Sequence, residues 1–202
     1  YDFIPNPEPG QHGFVVADVT GKGVPASLLM ATMRATLRAN IQNNPNDIVQ
    51  ALRQVNGDIY RDSPVDKFIT SIYCNLDYHR HEISYVNSGH NPPYIVRADD
   101  SRIEELEQGG VMLGIMEEID LPKVTLSIGK GDILMLFSDG VTEATNPSGE
   151  LFSEESFEQW LLDHNQLSAE EMKKALLETL QDYADGSPQS DDITFIIVKR
   201  TN

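Results

Sequence analysis

Apolar positions recur along the chain with two different periods, and the switches between them mark the elements. From Val24 onward, Leu29, Met33, Leu37 and Ile41 fall on one helical stripe, with Pro25 suited to a first turn. Asp47 has the character of an N-cap for a helix whose apolar face is Ile48, Leu52, Val55 and Ile59. Ser153 opens a short helix carrying Phe157, Trp160 and Leu161. Ser168 and Glu171 form a capping box ahead of Met172, Leu176, Leu180 and Tyr183, and Gly186 ends that helix. Strands follow a period of two or short continuous apolar runs. Residues 13–18 form the first, and "FITSIYCNL" (68–76) alternates with Phe68, Ile72, Cys74 and Leu76 inward. "HEISYVNSG", "PYIVRA", "KVTLSI", "DILMLFS" and "ITFIIVKR" complete the set.

The strands follow one another through the middle of the chain with no helix between them, which indicates antiparallel pairing. Helices come in pairs before and after that centre. The expected class is therefore α+β: two stacked antiparallel β-sheets with a helix pair on each outer face, an α-β-β-α sandwich, rather than a doubly wound fold. The helical stripe of the first pair reads as core in preference to a homodimer face.

Length and composition narrow the picture. With 202 residues, 40 % of them hydrophobic, residues 1–202 suffice for a single domain with one well-buried core. A net charge of −17 argues against nucleic acid as a partner, since phosphate backbones need a basic face. The only cysteine, Cys74, excludes a disulfide framework and fits a reducing, cytoplasmic setting. No apolar stretch approaches the length of a membrane span, so no membrane insertion is expected. The chain opens on Tyr1 with no initiator methionine, so a longer parent with an upstream regulatory region is expected.

Carboxylates at strand margins carry the candidate chemistry. Asp18 ends "GFVVAD", Asp139 ends "ILMLFSD", and Asp191 and Asp192 stand at the start of "ITFIIV". A partly buried carboxylate needs a cationic or hydrogen-bonding partner. The chain has 15 Lys and Arg against 32 acids, and only Lys22 lies within these segments. If the aspartates converge, divalent cations are the natural counter-charge, and all-oxygen ligation favours Mg²⁺ or Mn²⁺ over zinc. Taken singly, each aspartate also reads as a helix cap, a turn residue or a solvated strand start. Other templates fail. "GKG" does not complete a phosphate loop, no HExxH or Gly-x-Ser-x-Gly is present, and "DGVTEATNPSGE" lacks EF-hand spacing. Metal-activated water is the chemistry that remains.

"VVADVTGKGVPASLLMATMRATLRA", "SGHNPPYIVR", "GVMLGI", "LFSDGVTEATNPSGELF" and "SDDITFIIVKR" together resemble the bacterial SpoIIE-like branch of the metal-dependent (PPM) protein serine/threonine phosphatases. The resemblance implies a β-sandwich that binds two Mn²⁺ or Mg²⁺ ions and activates a water that attacks phosphorus. Residue by residue, it makes Asp18 the metal-bridging carboxylate and Val19 a ligand through its backbone carbonyl. Asp139 and Asp191 become further ligands, with Asp192 the alternate to Asp191. Members of the branch carry a further metal-binding aspartate just before the "YDF" tyrosine. The chain shows no residue there, and Asp2 is a lesser candidate for the role. His90 in "SGHNPP" suggests a general acid. The plainer reading, that Ser88, Gly89 and the prolines shape a turn at the sheet end, is preferred. No arginine is assigned to the phosphate, because Arg34, Arg38, Arg53 and Arg61 fall on predicted helices.

The resemblance further implies a phosphorylated protein substrate, a STAS-domain anti-anti-sigma factor in partner-switching control, and an upstream sensor or receiver domain. The alternative function is a non-catalytic binding or regulatory module on the same fold with an incomplete metal site. A kinase-like nucleotide binder is the weakest reading, because the phosphate-loop pattern fails.

Overall fold

A computed structural model describes residues 1–64, 66–189 and 191–202. In chain order the elements are β1 (Asp2–Pro5), β2 (Gln11–Val19), α1 (Val24–Asn43), α2 (Ile48–Asp62), β3 (Ile69–Asp77), β4 (Glu82–Ser88) and β5 (Tyr94–Val96). They continue with β6 (Ile103–Glu105), β7 (Lys123–Ser127), β8 (Ile133–Phe137), α3 (Glu154–His164), α4 (Ala169–Ala184) and β9 (Phe195–Lys199). The mixed α+β class with two antiparallel sheets and paired helices is the one expected from the sequence. The chain divides into two units, Tyr1–His90 with Gln108–Ser127, and Asn91–Glu107 with Ile128–Asn202.

The first unit holds a five-stranded antiparallel sheet in the order β1-β2-β3-β4-β7, with α1 and α2 packed on one face. Pro25 sits in the first turn of α1, where its missing N–H costs nothing, and Met33, Leu37 and Ile41 are buried beneath the helix. Asp47 caps α2 by accepting a hydrogen bond from the Gln50 N–H at 2.9 Å. Ile48, Leu52, Val55 and Ile59 join the same cluster, so the helical stripe is core. Each such side chain contributes roughly 1.5–3 kcal/mol on burial. The expected alternation of β3 needs correction. Ile72 and Cys74 are buried, but so are Ile69 and Tyr73 on the opposite, helix-bearing face. The strand lies inside the protein on both faces, and Phe68 and Leu76 are only half-buried at its ends.

The second unit holds a four-stranded antiparallel sheet in the order β6-β5-β8-β9, against which α3 and α4 pack. All five residues of β8 are buried, which explains its unbroken apolar run. Ser168 and Glu171 form the capping box of α4. Asp185 in a left-handed conformation and Gly186 at φ 84° close its far end. Asp132 anchors the start of β8. Burial opposes its charge, but N–H groups of Ala98 and Gly129 and the Arg97 guanidinium prevail and hold its carboxyl below the usual range.

Two strands have no counterpart in the sequence reading. β1 is four residues long and ends on Pro5, and β6 is three residues at a sheet edge. Neither has room for a periodic signal. Among the described residues no helix is long and apolar enough to cross a membrane.

Candidate metal centre

In the first unit β2 carries Phe14 and Val16 as buried residues, and Asp18 continues their face two positions later. By Asp18 the strand has passed the last fully buried residue, so its side chain is exposed. Its Cα partner on β3 is Thr70. The chain beyond is tied down by Thr20, whose N–H and hydroxyl both donate to the Phe68 carbonyl, at 3.1 and 3.2 Å. The same hydroxyl accepts the Phe68 N–H at 3.1 Å. Gly21 and Gly23 adopt φ of 92° and 81°, which side-chain-bearing residues rarely do, and this swings the backbone directly into α1. Lys67 covers that turn: a Cβ on Gly21 would lie 3.1 Å from its Nζ.

The segment "SGHN" is held by buried Asn87. Its Oδ1 accepts the His90 N–H at 2.8 Å, and its Nδ2 donates to the His90 carbonyl at 2.9 Å. The His90 ring is buried, and its Nδ1 lies 3.0 Å from Thr70 Oγ1. The expected sheet-end turn is therefore present, and it fixes a histidine to the cross-strand partner of Asp18.

The second unit brings two of the predicted segments together. Ser138, just before Asp139, donates its N–H to the Thr194 carbonyl at 2.9 Å and its hydroxyl to the Asp192 carbonyl at 3.0 Å. The Thr194 N–H returns to Ser138 Oγ at 3.0 Å. Gly140 lies so close that a Cβ there would stand 2.3 Å from the Asp192 carbonyl oxygen. Asp139 is half-buried, and its carbonyl accepts the Glu143 N–H at 2.8 Å. Asp191 and Asp192 are exposed, and Asp191 Oδ1 accepts the Asp192 N–H at 2.8 Å. Ser190, the first residue of the "SDD" motif, lies outside the described residues.

Partial burial, the sequence-based reason for giving these aspartates cationic partners, holds only for Asp139. Asp18, Asp191 and Asp192 lie beyond the covered stretches of their strands, where water can solvate them. Among the described residues no three His, Cys, Asp or Glu side chains are grouped as ligands of one ion. What fits a divalent cation is the donor chemistry, carboxylate and carbonyl oxygens throughout, together with the glycine that lets the Asp139 turn approach the Asp191–Asp192 backbone.

Asp2 is committed elsewhere. Arg38 donates to both its carboxylate oxygens, at 2.5 and 2.7 Å, and Arg34 approaches within 3.0 Å. The hydrogen bond from Arg38, joined by Arg34, outweighs the burial and keeps the Asp2 carboxyl below its ordinary range. Two arginines of α1 thus clamp β1 and leave Asp2 ill-suited to a cation.

The family model of stage II sporulation protein E (SpoIIE) matches residues 8–201. The chain belongs to the SpoIIE family. It is 30 % identical over 200 residues to phosphoserine phosphatase RsbU of Bacillus subtilis, an alignment covering 99 % of this chain and 58 % of that protein. It is 27 % identical to phosphoserine phosphatase RsbP of the same organism, over 93 % of this chain and 45 % of the relative. The chain thus spans about half the length of these relatives. Its fold is that of the SiaA-PP2C domain of Pseudomonas aeruginosa, with a TM-score of 0.85 at 20 % identity over 98 % of this chain and 79 % of that one.

Sequence reasoning missed the parts that only folding assembles: Thr70 opposite Asp18, the Asn87 clip and Lys67 over Gly21. A faint signal existed for Asn87, an amide in an otherwise apolar strand ending.

Proposed function

We propose that this SpoIIE-family chain is a metal-dependent phosphatase that removes phosphate from serine or threonine of a folded partner protein. Its site would hold two Mn²⁺ or Mg²⁺ ions through Asp18, the Val19 carbonyl, Asp139 and Asp191, with Asp192 as the alternate. The observation that carries the reading is the closure between Ser138, Gly140 and Asp192, which brings two motifs some fifty residues apart in sequence to one place. Relatives named phosphoserine phosphatases, similar across nearly the whole chain, support it.

The ions, when bound, supply Lewis acidity at phosphorus and lower the pKa of a shared water toward neutrality. The protein's own groups do the rest. The Thr20–Phe68 hydrogen bonds and the glycine turn fix where Asp18 leaves β2. The Ser138 hydroxyl fixes Asp139 relative to the start of β9. Lys67 adds positive charge beside the glycine turn for the incoming phosphoryl group. The greater length of the relatives fits an upstream sensor or receiver region, and the RsbU likeness fits a phosphorylated STAS-domain anti-anti-sigma factor as substrate.

The test is hydrolysis of p-nitrophenyl phosphate with Mn²⁺ by the intact protein, comparing wild type with Asp139→Asn. The account expects the variant to lose about 100-fold or more, beyond what removal of a supporting outer-shell group does. Equal rates would reject the site. Activity absent from both, with no heat on Mn²⁺ titration, would favour the non-catalytic module.

A further inference from the structure

The first four residues, Tyr-Asp-Phe-Ile, alternate strictly between water and core. Asp2 and Ile4 are buried, whereas Tyr1 and Phe3 are 71 % and 59 % exposed. The two faces of this strand meet different surroundings. Ile4 joins the core that α1 and α2 cover, and Asp2 is held by Arg34 and Arg38 of α1. The opposite face carries the two rings, edge to face with centroids 6.3 Å apart. A single exposed apolar side chain is ordinary, but two aromatic rings in contact with each other on a surface strand mark a place where something else binds.

We propose that Tyr1 and Phe3 form a docking platform for apolar residues of the substrate protein that flank its phosphoserine or phosphothreonine. The proposal rests on the phosphatase reading above, with Asp18 as a metal ligand. Phe3 lies directly opposite Phe14 on β2, and directly opposed residues of antiparallel strands project from the same face. Phe14, Val16 and Asp18 share that face through the alternation of β2. The rings and Asp18 therefore belong to one face of the first sheet. Because β1 runs antiparallel to β2, Tyr1 stands on the Asp18 side of Phe3. From Phe14 to Asp18 is four residues along the strand, about 13 Å. An extended substrate segment covers the same span with about four residues of its own, so a phosphorylated side chain at Asp18 brings its sequence neighbours over the rings. The net charge of −17 repels a phosphoryl dianion at range, so contact rather than charge has to hold the rest of the substrate.

The other use of an exposed edge, pairing with a further strand, is obstructed at β1. The Phe3 carbonyl already accepts from Arg38 Nη2 at 2.9 Å, and Pro5 at the end of the strand has no N–H to offer. What the strand presents is the rings themselves. The arginine clamp on Asp2 and the buried Ile4 side chain fix the strand beneath them, so little ordering is needed when a partner lands. Phe and Tyr suit that role because they carry a large apolar area on only two rotatable bonds.

Two phosphoserine peptides of equal length test the platform on the intact protein with Mn²⁺. One carries leucine and the other serine at the second to fourth positions on either side of the phosphoserine. Wild type should favour the leucine peptide by about tenfold in kcat/KM, mainly through KM, as burial of an apolar side chain predicts. Phe3→Ser should cut that preference to under about twofold, and Tyr1→Ser should weaken it less. The readout is a ratio measured on one preparation, so a general loss of fold or activity cancels from it. Tyr60→Ser, at an exposed tyrosine of α2, should keep the wild-type preference. A wild type that hydrolyses p-nitrophenyl phosphate but treats the two peptides alike, or is inert toward both, would overturn the inference and leave the phosphatase reading intact. So would a Phe3→Ser variant with the full preference. Sedimentation in which Phe3→Ser dissociates a wild-type dimer would give the rings to a second copy and overturn it as well. A wild type inert toward p-nitrophenyl phosphate and both peptides would overturn both readings.

Discussion

At the end of β2, Asp18 leaves its sheet through a turn of two glycines in left-handed conformations, tied back by the Thr20 hydroxyl. At the end of β8, Asp139 leaves through a single glycine of a different kind. Gly140 is required there by proximity, because the Asp192 carbonyl occupies the space a side chain would need. The first arrangement is limited by φ, with open space around Gly23. The second needs no positive φ but leaves no room for a side chain. Two routes to the same end, an acidic residue held just past the buried part of a strand, thus have different points of failure.

The largest expected effect that separates them is at Gly140. Gly140→Ala forces the Asp139 turn away from β9 and should lower stability by about 1–3 kcal/mol, as overpacking does, and abolish most phosphatase activity. Gly23→Ala meets no atom within 4 Å, so its cost is conformational alone, about 1–3 kcal/mol at φ 81° and ψ −162°. Thermal unfolding of Ala and Leu variants at each position checks the contrast: the loss should grow with side-chain size at Gly140 and not at Gly23, and equal growth would remove the distinction.

The second effect is at Asn87. Asn87→Ala leaves the buried N–H and carbonyl of His90 without their side-chain partner, at about 1–3 kcal/mol, and frees the turn. Its signature is faster amide exchange at His90 with β3–β4 pairing retained, and unchanged exchange would contradict the clip.

These contrasts also show what the sequence makes legible. Asp47, Ser153 and Ser168 were readable as caps because each bonds a backbone N–H three residues on. The helix stripes and β8 were readable because periodicity is local. β1 and β6 were not, since three or four residues at an edge carry no period. Asp18, Asp139 and Asp191 stood out as acids beside apolar runs, but the same reading made them partly buried, and three of the four strand-end aspartates are exposed. Partners decide the rest. Thr70 and His90 are 20 residues apart, and Ser138 and Asp192 are 54 apart, so no window of sequence shows either contact.

A smaller effect concerns the clamp on β1. The Asp2 carboxyl lies below its unfolded value of about 3.9. Its stabilisation is therefore fully present above that value and is lost as pH falls through the lowered folded one. Asp2→Asn should cost about 1.5–3 kcal/mol near neutrality, as loss of a charge-assisted hydrogen bond does. The gap to wild type should close in acid denaturation below about pH 4. A gap constant with pH would contradict the arginine clamp. The least effect is expected at Lys67, where Lys67→Met should raise KM a few-fold at most for p-nitrophenyl phosphate with kcat nearly kept, because its half-buried ammonium is already paired with Asp66 at 3.5 Å and such surface charges contribute little.

The central proposal is that Asp18 and Asp139 are each metal ligands. Calorimetric titration of Mn²⁺ into wild type, Asp18→Asn and Asp139→Asn of the intact protein tests it directly. The account predicts measurable binding in wild type and its loss or severe weakening in both variants alike. Full wild-type affinity in either variant would contradict it.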